Sequence, residues 1–100
     1  MALKILIVDD EEPARQGLTQ LLARWGYEVD EAADGQEALA KAAAGLPAVV
    51  LSDLVMPRMD GLELLRRLAT RSPAPRVVVV TAHGSERQAV EAMKAGAWDY

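Results

Sequence analysis

Three aspartates and one threonine stand where apolar runs of this sequence stop. Ile5-Leu6-Ile7-Val8 runs into Asp9-Asp10, Ala48-Val49-Val50-Leu51-Ser52 into Asp53, and Val77-Val78-Val79-Val80 into Thr81. Each has an ordinary reading when taken alone. Paired acids after a strand suit the positive end of a following helix. A lone acid can cap a loop, and a threonine can supply a turn hydroxyl. Together they pose a harder problem. If the runs are neighbouring strands, three carboxylates converge, and they repel until one holds a proton or a cation binds. A hard divalent ion held by oxygens and waters resolves this, and magnesium suits such a set. A carboxylate beside magnesium can attack phosphorus and become an aspartyl phosphate. The ion would neutralise the phosphoryl oxygens, and the Thr81 hydroxyl could donate to one of them.

The elements that must position these groups alternate along the chain. Leu3 to Val8 reads as a buried strand. A helix follows, with Glu11, Glu12 and Pro13 at its start and Gly26 as its stop. Its Leu18, Leu21, Leu22 and Trp25 fall at i, i+3, i+4 and i+7, on one face. Tyr27 to Ala32 is a more polar strand and is expected at an edge. Asp34-Gly35 turns into a second helix, Gln36 to Ala44, closed by Gly45 and Pro47. Ala48 to Ser52 is the third strand. Asp60 and Glu63 open a third helix in the manner of a capping box, with Leu62, Leu65 and Leu68 inward. Arg76 to Val80 is the fourth strand. Ser85 caps a fourth helix, with Gln88 three positions later and Gly96 as its end, and Trp98-Asp99-Tyr100 begins a fifth strand. This rhythm predicts an α/β fold: a doubly wound parallel sheet with helices on both faces and its chemistry at the carboxyl edge. The central strands, apolar at every position, are expected to be buried on both sides.

Composition narrows the function classes. At 100 residues, with 51% apolar and 26% charged, one globular domain is expected. No apolar run is long enough to span a membrane, and no secretory leader is expected. The absence of cysteine excludes disulfides, Cys-based zinc sites and thiol catalysis, and it fits a cytoplasmic protein. A net charge of −4 offers no basic footprint for nucleic acid.

The residues also match a known pattern. Ile5 to Glu12, Ala33 to Leu39, Leu51-Ser-Asp-Leu-Val-Met-Pro-Arg-Met-Asp-Gly-Leu-Glu63, Val80-Thr-Ala-His83 and Ala95 to Tyr100 resemble, in register, the receiver domain of two-component response regulators. The resemblance covers nearly the whole chain. It implies a flavodoxin-like sheet of order 2-1-3-4-5. It implies that Asp53 is the phosphoacceptor. Asp10, Asp53 and the Val55 carbonyl would ligate magnesium, and Asp9 would hold it through water. Thr81 would contact the phosphoryl group and report on it, and Tyr100 would be the switch aromatic. It further implies a histidine kinase as phosphodonor and an output domain beyond this chain controlling transcription. No direct nucleic-acid or membrane binding is implied. The tail Gly96-Ala-Trp-Asp-Tyr100 looks most like receivers attached to AAA+ (NtrC-type) activators.

The pattern departs at its end. Receivers continue past the position of Tyr100 to a lysine that pairs with the phosphoryl group, then to a fifth helix. Residues 1–100 are therefore read as a C-terminally incomplete receiver, with strand five begun and helix five missing. Phosphorylation of this form is expected to be poor. Lys4 and Lys94 lie at the wrong ends of their elements to substitute, whereas Arg58 could approach. Without the fifth helix, some of Ile5, Ile7, Val49 and Leu51 should lose cover. The fourth strand should be an open edge, because the tail is too short to pair along it. Marginal stability or self-association is then expected. The remaining notable residues read plainly. His83 is a loop side chain, Pro57 shapes the loop after Asp53, and Ala82 leaves room beside Thr81. Arg66, Arg67 and Arg71 form a solvated face, and Trp25 and Trp98 pack. Two other classes fit less well. A haloacid-dehalogenase-like phosphohydrolase wants Asp-x-Asp after its first strand, and a flavodoxin-like nucleotide binder wants a Ser/Thr/Gly-rich turn where Asp9-Asp-Glu-Glu12 stands. A non-phosphorylated, receiver-like interaction module remains the alternative.

Overall fold

Branched residues and short turns build alternating strands and helices. The structure is a computed structural model that describes residues 3–53, 59, 61–72, 74–80 and 86–99, and of residues 86, 88 and 89 only the backbone. The order is β1 (Lys4–Val8), α1 (Glu12–Arg24), β2 (Glu28–Ala32), α2 (Gly35–Gly45), β3 (Val49–Ser52), α3 (Gly61–Ala69), β4 (Arg76–Val79) and α4 (Glu86–Lys94). Pro13 lies in the first turn of α1, where its missing N–H is no loss. Asp34 caps α2 by accepting the Glu37 N–H at 2.9 Å, and Glu37 reaches back to the Ala33 N–H. This reciprocal arrangement is a capping box in function. Gly26 and Gly96 follow α1 and α4 at φ 93° and 110°, a left-handed turn that a side chain would resist. The end of α2 departs from expectation. Gly45 is its last helical residue, and Leu46 takes the left-handed position at φ 46°.

The four strands are parallel in the order β2-β1-β3-β4. Val8 pairs with Ala32 on one side and Ser52 on the other, and Ser52 pairs with Val79. β2 is the polar edge, as its composition implied. The other edge is not bare. The Trp98 N–H donates to the Val77 carbonyl at 2.7 Å, the Val79 N–H donates to the Asp99 carbonyl at 3.0 Å, and Val78 bridges Asp99 in parallel. The expectation that this tail is too short to pair is thus corrected. Two backbone bonds start a fifth strand beside β4, and the Arg76 guanidinium sits 4.2 Å over the Trp98 ring.

Period-two alternation sends neighbouring residues to opposite faces. Leu6, Val8, Val50, Val77 and Val79 join Ala38, Ala42, Leu64, Leu65, Leu68 and Ala92 in one buried cluster beneath α2, α3 and α4. Leu64 was missed in sequence: Gly61, Leu64, Leu65 and Leu68 form the buried stripe, and Leu62 lies on its flank. Gly35 is needed here, because a Cβ on it would come 2.8 Å from the Met59 Cβ and 3.0 Å from the Met59 carbonyl oxygen.

The opposite face carries α1 and is more open. Of the four residues among which some were expected to lose cover, Ile5 and Ile7 stay buried because α1 lies over β1, and Val49 and Leu51 are the ones that lose it. Val49, Leu51 and Val78 are half-buried and Val80 is exposed. The expectation of double-sided burial therefore holds for β1 but not for β3 or β4. Although α1 has the anticipated apolar spacing, it has no buried residue, and Trp25 is 65% exposed. Trp25 and Trp98, expected to pack, are both largely exposed, and the Trp98 ring instead faces the Arg76 guanidinium. Arg71 is half-buried rather than solvated, and donates to the Leu39 carbonyl at 3.4 Å.

Candidate functional site

The site is assembled by the carboxyl ends of β1 and β3. Because Val8 and Ser52 are register partners, the residues that follow them come side by side. The Asp53 N–H donates to the Val8 carbonyl and the Asp9 N–H to the Ala32 carbonyl, both at 3.1 Å. The Ser52 hydroxyl donates to the Asp53 carbonyl at 2.9 Å. These backbone ties aim three carboxylates into one space. One oxygen from each of Asp9, Asp10 and Asp53 lies within 4.8 Å of the others. Asp9 and Asp53 are half-buried and Asp10 is exposed.

Such proximity has an electrostatic consequence. At about 4 Å two like charges repel by about 1 kcal/mol in water, and several-fold more where water is excluded. Burial pushes the Asp9 carboxyl above its ordinary value. The Glu11 N–H, which it accepts at 2.9 Å, opposes this, and the charges of Asp53, Asp10 and Glu11 add to the rise. Oxygen-only donors, crowded and partly desolvated, fit a hard divalent cation such as magnesium. Such an ion removes the conflict that the three acids create.

The structure thus brings Asp9, Asp10 and Asp53 together. Val55, Thr81 and Tyr100 lie outside the described residues, as do Pro57, Arg58, Asp60, Ala82, His83 and Ser85. The Val80 N–H bonds the Ser52 carbonyl at 2.9 Å, which carries the end of β4 toward Asp53. Lys4 lies against Gly45 at the opposite edge of the sheet, and Lys94 is exposed at the far end of α4, so neither reaches the acids. A shallow crevice lined by Leu18, Leu51 and Val80 runs from the open sheet face to Asp9 and Asp53.

One contributor escaped the sequence reading. Arg15 donates from Nη1 to the Asp9 carbonyl at 2.8 Å and from Nε to Glu31 Oε1 at 3.0 Å. The available signal was its isolation, for it is the sole basic residue between Lys4 and Arg24 and follows four acids.

Comparison with known proteins gives a consistent result. A family model described as the response regulator receiver domain matches residues 5–100. "Response regulator MprA" of Mycolicibacterium vanbaalenii is 41% identical over 100 residues, all of this chain and 43% of that protein. "Transcriptional regulatory protein ResD" of Bacillus subtilis is 40% identical over 97 residues, 97% of this chain and 40% of that protein. The chain therefore spans less than half the length of these relatives. Among solved structures, a CheY-like receiver domain protein of Methanospirillum hungatei superposes with a TM-score of 0.94 at 35% identity, covering 100% of this chain and 80% of that one. The chemotaxis response regulator CheY4 of Vibrio cholerae gives 0.92 at 36% identity, covering 99% and 84%.

Proposed function

Because the chain belongs to the response regulator receiver domain family, we propose that Asp53 accepts a phosphoryl group from a histidine kinase, with magnesium as cofactor. The observation that carries this reading is the convergence of Asp9, Asp10 and Asp53 within 4.8 Å at the carboxyl edge. An Asp53 oxygen forms the new O–P bond as the N–P bond of the donor's phosphohistidine breaks. The imidazole nitrogen leaves with the bonding pair and takes a proton from water. Asp10, Asp53 and the Val55 carbonyl would hold the ion directly, and Asp9 would hold it through water. The ion, when bound, supplies charge neutralisation to the phosphoryl oxygens. The Thr81 hydroxyl donates to one of those oxygens, and Tyr100 follows it as the conformational reporter. Hydrolysis of the aspartyl phosphate resets the domain, so it acts as a signalling partner rather than a turnover enzyme.

The whole chain is read as one receiver domain of a longer cytoplasmic protein whose output controls transcription, in keeping with the name of the ResD relative. Among the described residues, no helix is long and apolar enough to cross a membrane. The chain's negative charge argues against its own contact with nucleic acid. An AAA+ output rests on Gly96 to Tyr100 alone. The relatives found are named MprA and ResD, so a transcription output of unspecified type is the reading we keep.

Intact mass after incubation with a small phosphodonor tests the reading. One added phosphoryl group is expected on a minor fraction of the 100-residue chain, dependent on magnesium and lost in Asp53→Asn. Magnesium titration should show Asp10→Ala more impaired than Asp9→Ala. An unchanged mass under all conditions would favour a non-phosphorylated interaction module.

A further inference from the structure

The Arg15 side chain is only 15% exposed and lies beside an acidic cluster. Simple attraction would pair it with one of the cluster's carboxylates. It bonds elsewhere: to the carbonyl of Asp9, not its carboxylate, and to Glu31, which sits on β2 opposite Ile7. The guanidinium therefore grips the turn by its backbone and leaves the acidic oxygens to another cation. Asp9 is then held three ways, by the Ala32 carbonyl at its N–H, by the Glu11 N–H at its carboxylate and by Arg15 at its carbonyl.

We propose that Arg15 is a positioning residue that fixes the Asp9-Asp10 turn for a divalent cation, with Glu31 as the post that keeps its charge off the acidic oxygens. The inference rests on the magnesium reading above and deepens it. Groups that orient metal ligands without touching the metal typically change its affinity by about 10-fold or more when removed. The guanidinium serves Glu31 and the carbonyl from two nitrogens held in one rigid plane, a geometry that the point-like ammonium of a lysine does not reproduce.

Charge and positioning make opposite forecasts. Arg15→Met removes a positive charge near three acids, so electrostatics alone would tighten magnesium binding. Positioning requires it to weaken. The experiment is magnesium titration of the wild-type chain, Arg15→Met and Arg15→Lys, followed by calorimetry or backbone amide shifts, with melting temperature measured in the absence of the ion. We expect about 10-fold weaker binding in Arg15→Met and an intermediate loss in Arg15→Lys, larger than any change in ion-free melting implies. Equal or tighter binding in Arg15→Met overturns the proposal. If that variant does not fold, wild-type affinity in Arg15→Lys overturns it. A wild-type chain that binds no magnesium overturns the metal reading itself, and this inference with it.

Discussion

The two faces of the sheet are built from the same strands and finish very differently. On one face Leu6, Val8, Val50, Val77 and Val79 are each at most 3% exposed, sealed by leucines of α3 and alanines of α2 and α4. On the other, one helix covers β1 well, covers β3 and β4 poorly, and buries none of its own residues. Alternation alone gives both faces apolar side chains, so the difference lies in what roofs them. The carboxylates sit where the two faces meet at one edge. Their backbone anchors lie in the plane of the sheet, and the crevice beside them opens from the less covered face. A rigid base and an accessible flank suit a group that must be held still and yet be reached.

The largest expected effect sharpens that contrast. Leu64→Ala and Leu65→Ala, each in the sealed face, should destabilise by about 2–5 kcal/mol, the usual range for emptying a leucine site. Leu21→Ala on α1, where the side chain is 40% exposed, should cost less than about 1 kcal/mol. Urea unfolding of the three variants checks this. Similar losses at Leu21 and Leu65 would mean that the two faces are equally closed in solution.

The sequence announced the contrast only in part. The strands were legible because branched apolar runs separated by helix-sized segments leave few arrangements. The meeting of Asp9, Asp10 and Asp53 followed from parallel strands of matched length. Thin cover on the second face was anticipated from the missing fifth helix, but which strand would lose it was not legible, since the period of Val49, Leu51 and Val78 is the same whether or not a helix lies above them. For the same reason the spacing of Leu18, Leu21, Leu22 and Trp25 placed them on one face but did not reveal that Leu21 and Trp25 are exposed, Trp25 against the expectation that it packs. The turn at Leu46 was missed because left-handed backbone is sought at glycine, and Gly45 stood one residue earlier. Arg15 depends on the rotation of α1 over β2, which local spacing does not encode.

A second expected effect tests the open face directly. Leu21, Trp25 and Val80 are exposed on this side, and such apolar surface favours association. The 100-residue chain should gain mean mass with concentration in size-exclusion chromatography with light scattering. Leu21→Glu combined with Val80→Glu should hold it monomeric without loss of ion-free stability. A concentration-independent monomer for the wild-type chain would show that α1 shields the face unaided.

The smallest effect concerns the edge where the faces meet. Burial, together with the charges of Asp53, Asp10 and Glu11, raises the Asp9 carboxyl despite its bond from the Glu11 N–H. The folded chain then holds the Asp9 proton more tightly than the unfolded chain does. Below the unfolded value near 3.8 both states are protonated, and Asp9 carries no penalty. As pH rises from there through the folded value, stability is lost, and the deficit persists at neutral pH. Asp9→Asn keeps an oxygen for the Glu11 N–H and removes the charge. It should therefore melt higher than wild type at neutral pH without divalent ions, and the gain should vanish at pH below about 3.8. Magnesium should narrow the gap from the other side, because an ion that binds only the folded wild type raises its melting temperature. Melting curves at several pH values, with and without magnesium, separate these effects. A constant difference across pH would mean that Asp9 is relaxed in the folded chain, and that the edge carries no electrostatic conflict for a cation to relieve.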